Sequence, residues 1–174
     1  MTTSAGRGVL ILALALAGAA NAAQPAAVKP QPLKSGLEFT GNEVRELQQD
    51  DFANPGMLWV ARAEALWQEA AGTEGKSCAD CHGEIKTSMQ GVATRYPRID
   101  AASARLINLE GRIQQCRERR QQAEPFKYES AELLSLTAYV AQQSRGMPVN
   151  AVIDWQNRRN FEAGRAMYYR RMGQ

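Results

Sequence analysis

The sequence predicts an all-α fold. Apolar residues recur at steps of three and four in several segments, and residues that favour helix ends bound those segments. No strand-like alternation of apolar and polar residues persists anywhere. With 174 residues, 44% of them apolar, the chain can form one packed domain with flanking segments. The net charge of +3 argues against a nucleic-acid-binding surface built on dense positive charge.

The N-terminus has the features of a secretory signal peptide. Arg7 precedes an apolar run over 9–17, and Ala20-Asn21-Ala22 offers the small residues that a signal peptidase requires. The run is shorter than the roughly 20 residues that span a bilayer, so a retained anchor is the weaker alternative. We expect a signal peptide over 1–22 and a mature periplasmic protein with no stable membrane anchor.

A leader and a short helix should precede the first long helix. Residues 23–36 are rich in proline and alanine and should form a flexible leader, followed by one short helix within 36–51. Asn54 as N-cap and Pro55 in the first position predict a helix that runs to about Ala70. Its expected apolar face consists of Leu58, Ala61, Ala65, Trp59 and Leu66.

Two more helices should follow a loop-rich stretch over 83–100. The first runs from Ala101 to about Arg120, and the second begins after the cap Ser130 and ends near Gln143. The expected inward stripe of the first consists of Leu106, Leu109, Ile113 and Cys116. The expected buried face of the second consists of Leu133, Leu134, Leu136, Ala138, Tyr139 and Val140.

The segment Cys78-Ala79-Asp80-Cys81-His82 is the attachment signature of c-type haem. Cys78 and Cys81 would form thioethers with the porphyrin, and His82, the only histidine of the chain, would bind the iron. In an oxidising compartment, a Cys78–Cys81 disulfide with Cys116 unpaired is an alternative. Zinc is a third, although adjacent Cys81 and His82 rarely reach one tetrahedral ion. Haem accounts best for the odd number of cysteines and the adjacent histidine.

The order of helix, haem motif, loop, helix and apolar helix is that of a class I cytochrome c fold, which we expect over 37–148. Past Pro148, Asn150 or Asp154 could cap a further helix with an aromatic end. Residues 163–169 resemble 61–67, the helical segment before the haem motif. We therefore expect 149–174 to be the start of a truncated second cytochrome c-like domain. The alternatives are a C-terminal helix that packs on the first domain or docks a partner.

The second iron ligand must be a soft donor, since no second histidine exists. Cys116 is favoured because it lies on the predicted buried stripe and because nearby arginines should favour the thiolate. A thiolate stabilises Fe(III) and gives a low potential. The alternatives are an open site, a Cys116 that is merely buried, and arginines that are solvated or pair with haem propionates. The arginines are 112, 117, 119 and 120, and the competing methionines are Met57, Met89, Met147, Met167 and Met172.

The segments 108–117 (NLEGRIQQCR), 123–130 (AEPFKYES) and 143–148 (QSRGMP) resemble the SoxA family, the A subunit of the Sox thiosulfate-oxidising cytochrome. The resemblance extends from about Gly36 to the C-terminus. It implies an L-cysteine S-thiosulfotransferase subunit that pairs with a SoxX-like cytochrome subunit. The complex would join thiosulfate to a cysteine of the SoxYZ carrier, with electron transfer to haem. It also implies His82 and Cys116 as axial ligands of the first haem c.

The family resemblance implies a second haem c and a catalytic cysteine in a C-terminal domain. Residues 168–174 resemble the approach to that second motif, so we expect neither the second haem nor a catalytic residue in this truncated chain. The alternative function is a periplasmic c-type electron-transfer cytochrome without catalytic activity. A haem-free, disulfide-stabilised binding module is a third hypothesis.

Overall fold

The computed structural model describes residues 36–170, so the predicted signal peptide and almost all of the predicted leader lie outside the described residues. The helices are α1 (Asn42–Gln49), α2 (Met57–Gln68), α3 (Cys78–His82), α4 (Ile85–Ser88), α5 (Leu109–Cys116), α6 (Ala131–Gln142) and α7 (Arg158–Tyr168). Two 3-10 turns cover Gly36–Phe39 and Ala93–Arg95, and a π-helical segment covers Arg117–Gln121. None of the helices within this described stretch is both long and apolar enough to cross a bilayer.

The described part of the chain consists of helices joined by turns and loops, with one small sheet and an isolated β-bridge between Ala71 and Lys76. Strands β1 (Arg98–Ile99) and β2 (Leu106–Ile107) pair antiparallel, with Arg98 opposite Ile107 and Ile99 opposite Leu106. The sequence did not predict these strands, because two residues each are too few for an alternating pattern to appear. The all-α prediction is otherwise confirmed.

The core lies where α2 crosses α6. Ala63 on α2 and Ser135 on α6 are both 0% exposed. Small residues at a crossing let two helix backbones approach closely. The apolar cluster at this crossing consists of Ala63, Trp67, Ile85, Met89, Leu136 and Val140. This packing forms one wall of the cavity described below.

The predicted start of α2 was wrong by about two residues. The Asn54 side chain accepts a hydrogen bond from the Gly56 N–H at 2.9 Å, so it stabilises a turn rather than capping the helix. The helix begins at Met57 and ends at Gln68.

The predicted buried face of α2 was also wrong. Val60, Ala63 and Trp67 are buried, whereas Leu58 is 74% exposed. Ala61, Ala65 and Trp59 are exposed as well, and Leu66 is half-buried. Apolar residues occur around most of this helix, so their spacing alone could not identify the face that meets α6.

The helix predicted from Ala101 begins only at Leu109. Asn108 is its N-cap and accepts a hydrogen bond from the Gly111 N–H at 2.8 Å. The Asp100 carboxylate accepts hydrogen bonds from the Ser103 N–H and hydroxyl, which holds 100–103 in a turn instead. Leu106, predicted on the buried stripe, therefore lies in β2 and is exposed.

The prediction for α6 was confirmed. The Ser130 hydroxyl accepts a hydrogen bond from the Leu133 N–H at 3.3 Å, and the helix ends at Gln142. Leu133, Leu136 and Val140 are buried, together with Ser135, which the apolar pattern did not include. The other three predicted residues, Leu134, Ala138 and Tyr139, are half-buried.

The last helix, α7, begins at Arg158, later than predicted. Its N-cap residue is Asn157, and neither Asn150 nor Asp154 caps it. The Asp154 carboxylate instead accepts a hydrogen bond from the Gln156 N–H, which turns the chain before the helix. Residues 159–170 are exposed. That 149–174 begins a second domain stays a prediction.

Ser135→Ala should stabilise the protein. The Ser135 hydroxyl is buried and has no hydrogen-bond partner within residues 36–170. Removing a buried unpaired polar group should raise the free energy of unfolding by about 1 kcal/mol, measured by urea denaturation. Ser135→Leu, which overfills the crossing, should lower it by about 2–3 kcal/mol. A destabilised Ser135→Ala variant would mean that the hydroxyl has a partner after all.

Candidate haem-binding site

The haem attachment motif forms the short helix α3. The Ser77 hydroxyl accepts a hydrogen bond from the Asp80 N–H at 3.0 Å, and the Asp80 carboxylate accepts one from the Ser77 N–H at 2.7 Å. This reciprocal pair is a capping box. It fixes the first turn, so Cys78 and Cys81 lie three residues apart on one side of the helix. The Ser-x-x-Asp spacing could have revealed the role of Asp80 in the sequence.

A cavity of about 940 Å³ opens beside α3. All four predicted site residues line it: Cys78, Cys81, His82 and Cys116. Its apolar wall includes Leu66, Trp67, Met89, Val92, Ile113 and Leu136. The volume is within the range of small-molecule and cofactor sites. An apolar cavity with two thiols on one helical turn, an imidazole and a third thiol fits a covalently bound haem.

Trp67 supports the histidine side of this cavity. Its indole N–H donates a hydrogen bond to the Gly83 carbonyl at 3.1 Å. Its ring lies beside the His82 ring, with centroids 5.9 Å apart, and meets Tyr139 edge-on at 6.2 Å. The buried indole therefore ties the end of α3 to α2. The role of Trp67 could not be predicted from the sequence, because it depends on contacts between separate helices.

Cys116 reaches the cavity from another helix, as the last residue of α5. Burial raises its pKa, while the positive charges of Arg112 and Arg120 act in the opposite direction. Burial likewise raises the pKa of Cys78 to about 11, and the neighbouring Cys116 adds to the effect. The arginines thus favour the thiolate form of Cys116 as predicted, but the effect of burial on its pKa is larger.

The four predicted arginines differ in position. Arg112, Arg117 and Arg120 line the cavity, whereas Arg119 is exposed and does not. The Arg117 guanidinium lies 3.9 Å from the centroid of the Phe126 ring, and its Nε donates to the Glu124 carbonyl. Arg117 therefore acts mainly as a packing and hydrogen-bonding residue.

A backbone contact joins the two sides of the site. The Thr73 and Glu74 N–H groups donate hydrogen bonds to the carbonyls of Gln122 and Gln121, both at 3.3 Å. The Gln121 amide donates to the Lys76 carbonyl at 2.8 Å. Residues 72–76 lead into α3, and residues 121–122 follow α5 through the π-helical segment. We call this the loop–π-helix contact.

Gly72 makes the loop–π-helix contact possible. Its φ of +66° lies in the left-handed region, and a Cβ there would be 2.0 Å from the Gln121 carbonyl oxygen. Only glycine avoids this clash.

The positions of other side chains bear on the alternatives. No disulfide joins Cys78, Cys81 and Cys116 within the described residues. Across residues 36–170, no three side chains of His, Cys, Asp or Glu converge as metal ligands. Of the competing methionines, Met89 is buried and lines the cavity. Met57, Met147 and Met167 do not line it, and Met172 lies outside the described residues.

A family model described as SoxA/TsdA, cytochrome c domain, matches residues 62–149. The L-cysteine S-thiosulfotransferase subunit SoxA of Pseudaminobacter salicylatoxidans is 41% identical over 158 residues, which cover 86% of this chain and 54% of that protein. The subunit of the same name from Rhodovulum sulfidophilum is 38% identical over 142 residues, which cover 82% of this chain and 50% of that protein.

The crystal structure of SoxXA from P. pantotrophus aligns with a TM-score of 0.74 and 35% identity. The alignment covers 82% of this chain and 53% of that one. The chain thus spans about half the length of the relatives it matches. These matches confirm the cytochrome c fold.

Proposed function

Because the chain belongs to the SoxA family, we propose that it is the haem-binding subunit of a periplasmic thiosulfate-oxidising complex. The complex would join thiosulfate to a cysteine of the SoxYZ carrier, as an L-cysteine S-thiosulfotransferase. The names of the relatives support the transferase assignment. The likeness to SoxXA supports a SoxX-like partner subunit. The signal-peptide features of 1–22 support export to the periplasm.

The observation that carries the proposal is that Cys78, Cys81, His82 and Cys116 line one apolar cavity. Cys78 and Cys81 would hold the haem c through thioethers, and His82 and Cys116 would be the axial ligands. The haem, when bound, would accept and release single electrons. With haem bound, the apolar wall would keep water away from the side chains that hold the iron, and the arginines that line the cavity would supply positive charge near Cys116.

The chain's own residues hold the cofactor rather than transfer sulfur. All three cysteines have a role in haem binding under this proposal. We therefore assign none of them as the cysteine that carries thiosulfate, and we assign no catalytic residue in this chain. The second haem c expected of full-length homologues would likewise be held by residues outside this set.

Covalent attachment is tested on protein exported from a host with cytochrome c maturation machinery. Intact-mass spectrometry should show a mass increase of one haem, and the pyridine haemochrome spectrum should be that of a haem with two thioethers. The double variant Cys78→Ala/Cys81→Ala should carry no covalent haem. Cys116→Ala is the matched control and should keep the mass increase, because Cys116 forms no thioether. A colourless wild-type protein without the added mass would contradict the proposal.

One observation favours the second candidate, an electron-transfer cytochrome without catalysis. Met89 is only 8% exposed and lines the same cavity as His82. Methionine and histidine together are the ligands of ordinary electron carriers of higher potential. The absorption spectrum distinguishes the two candidates, because a thiolate ligand and a thioether ligand give different charge-transfer bands.

A further inference from the structure

Among the arginines that line the cavity, Arg112 lies on the same helix as Cys116 and pairs with a buried carboxylate. It lies on α5, four residues before Cys116, so the two side chains share one face of the helix. Its Nη2 donates a hydrogen bond to the Asp100 carboxylate at 2.9 Å. The side chain of Arg112 is 34% exposed and that of Asp100 only 4%. The guanidinium is thus held by a buried carboxylate.

Asp100 is itself rigidly placed. Its carboxylate accepts hydrogen bonds from the Ser103 hydroxyl at 2.7 Å and N–H at 3.1 Å. The Gln115 amide approaches the same oxygen at 3.4 Å. The Asp100 N–H donates to the Arg105 carbonyl at 2.9 Å. A buried carboxylate with this many donors is a fixed support for the Arg112 side chain.

Tyr96 lines the cavity together with Arg112 and is near enough to interact with its guanidinium. Burial alone would lower the pKa of Arg112, but interactions with Tyr96 and Asp100 outweigh burial and raise it. Two other arginines that line the cavity, Arg62 and Arg117, also have identified partners, but different ones. Arg62 pairs with Glu132 across α2 and α6, and Arg117 stacks on Phe126. Arg112 is therefore the positive charge most firmly fixed beside Cys116.

We propose that Arg112, positioned by Asp100 and Tyr96, sets the midpoint potential of the haem by holding a fixed positive charge beside the Cys116 ligand. A nearby positive charge stabilises the reduced iron, which carries one more electron than the oxidised form. The charge therefore keeps the potential above the value that a thiolate ligand alone would give. This inference rests on the proposed function, since it requires a haem ligated by Cys116.

The test is the midpoint potential of the holoprotein, measured by spectroelectrochemical titration. Arg112→Gln should lower the ferrous-to-ferric ratio at a fixed ambient potential on the order of tenfold, from the charge effect. A tenfold change corresponds to about 59 mV for one electron. Arg119→Gln is the matched control: it removes the same charge from the exposed residue outside the cavity, and the ratio should change less than twofold.

Two variants that leave the net charge unchanged test the positioning of the Arg112 guanidinium. Tyr96→Phe removes only the hydroxyl and should lower the ratio in the same direction, by a smaller factor. Arg112→Lys keeps the charge but cannot contact Asp100 and Tyr96 together, so it should also give a smaller decrease. If Arg112→Gln fails to fold, as judged by circular dichroism, these two variants decide the question.

The outcomes separate the inference from the proposed function. A wild-type protein without haem, or without the thiolate spectrum, would refute the proposed function. A wild-type protein with both, whose potential is the same in the Arg112 and Tyr96 variants, would overturn only the inference. A shift as large in Arg119→Gln as in Arg112→Gln would also overturn it, because the effect would then follow net charge and not position.

Discussion

Cys116→Met should raise the midpoint potential of the haem by a few tenths of a volt, within the roughly 0.8 V over which axial ligands set haem potentials. The cysteine thiolate is an anionic ligand that stabilises Fe(III), whereas a methionine thioether is neutral and favours Fe(II). Cys116 is half-buried and lines the cavity, so the longer side chain can reach the same space. The thiolate charge-transfer bands should disappear, and covalent attachment should persist because Cys78 and Cys81 are unchanged.

The measurement is a redox titration of the purified holoprotein together with its absorption spectrum. Met89→Leu is the matched control, because it removes the methionine that lines the cavity without touching Cys116. It should leave the thiolate spectrum in place. If Met89→Leu changed the axial ligation and Cys116→Met did not, the iron ligand would be Met89, and the electron-carrier alternative would gain support.

Gly72→Ala should lower the free energy of unfolding by about 3–5 kcal/mol, because left-handed backbone strain and a steric clash combine at this position. The strain alone costs about 1–2 kcal/mol for a non-glycine residue. The added Cβ would meet the backbone at Gln121 and Gln122, 2.0 Å from one carbonyl oxygen and 2.6 Å from the next carbonyl carbon. Backbone atoms in a hydrogen-bonded contact cannot move aside as a flexible side chain could.

Gly75→Ala separates the two effects in the same loop. Gly75 has a φ of +58°, but nothing lies within 4 Å of a Cβ there. This variant should lose only about 1 kcal/mol, the strain without the clash. Urea denaturation of both variants gives the comparison. Equal losses would show that the loop–π-helix contact adjusts freely and does not constrain the site.

Much of the site could be predicted because three of its four residues lie in one short segment with a recognisable spacing. The spacing of Cys78, Cys81 and His82 predicts haem attachment without any knowledge of the fold, and the structure places all three residues at one cavity. The cap Ser130 and the pattern after it fixed the start and buried side of α6. Cys116 was placed near the cavity by its helical spacing from Ile113, and both residues do line it.

The errors arose where tertiary contacts decide between local alternatives. The apolar residues of α2 surround most of the helix, and its packing against α6 leaves Ala63 as a fully buried position. The start of α5 moved to Leu109 because the Asp100 carboxylate captures the Ser103 backbone in a turn. The net effect on the Cys116 pKa could not be predicted, because the sequence shows the arginines and the buried stripe but not which of the two effects is larger.

The loop–π-helix contact should restrict how far Cys116 can move. Cys116 continues directly into the π-helical segment, and that segment is hydrogen-bonded to residues 73–76, which lead into α3 with Cys78 and Cys81. If haem is bound as proposed, Cys116 could not move away from the iron without also displacing the segment that leads into α3. Ligand switching during a redox cycle, in which a donor departs and another takes its place, should therefore be slow, and the same sulfur should remain on the iron in both oxidation states.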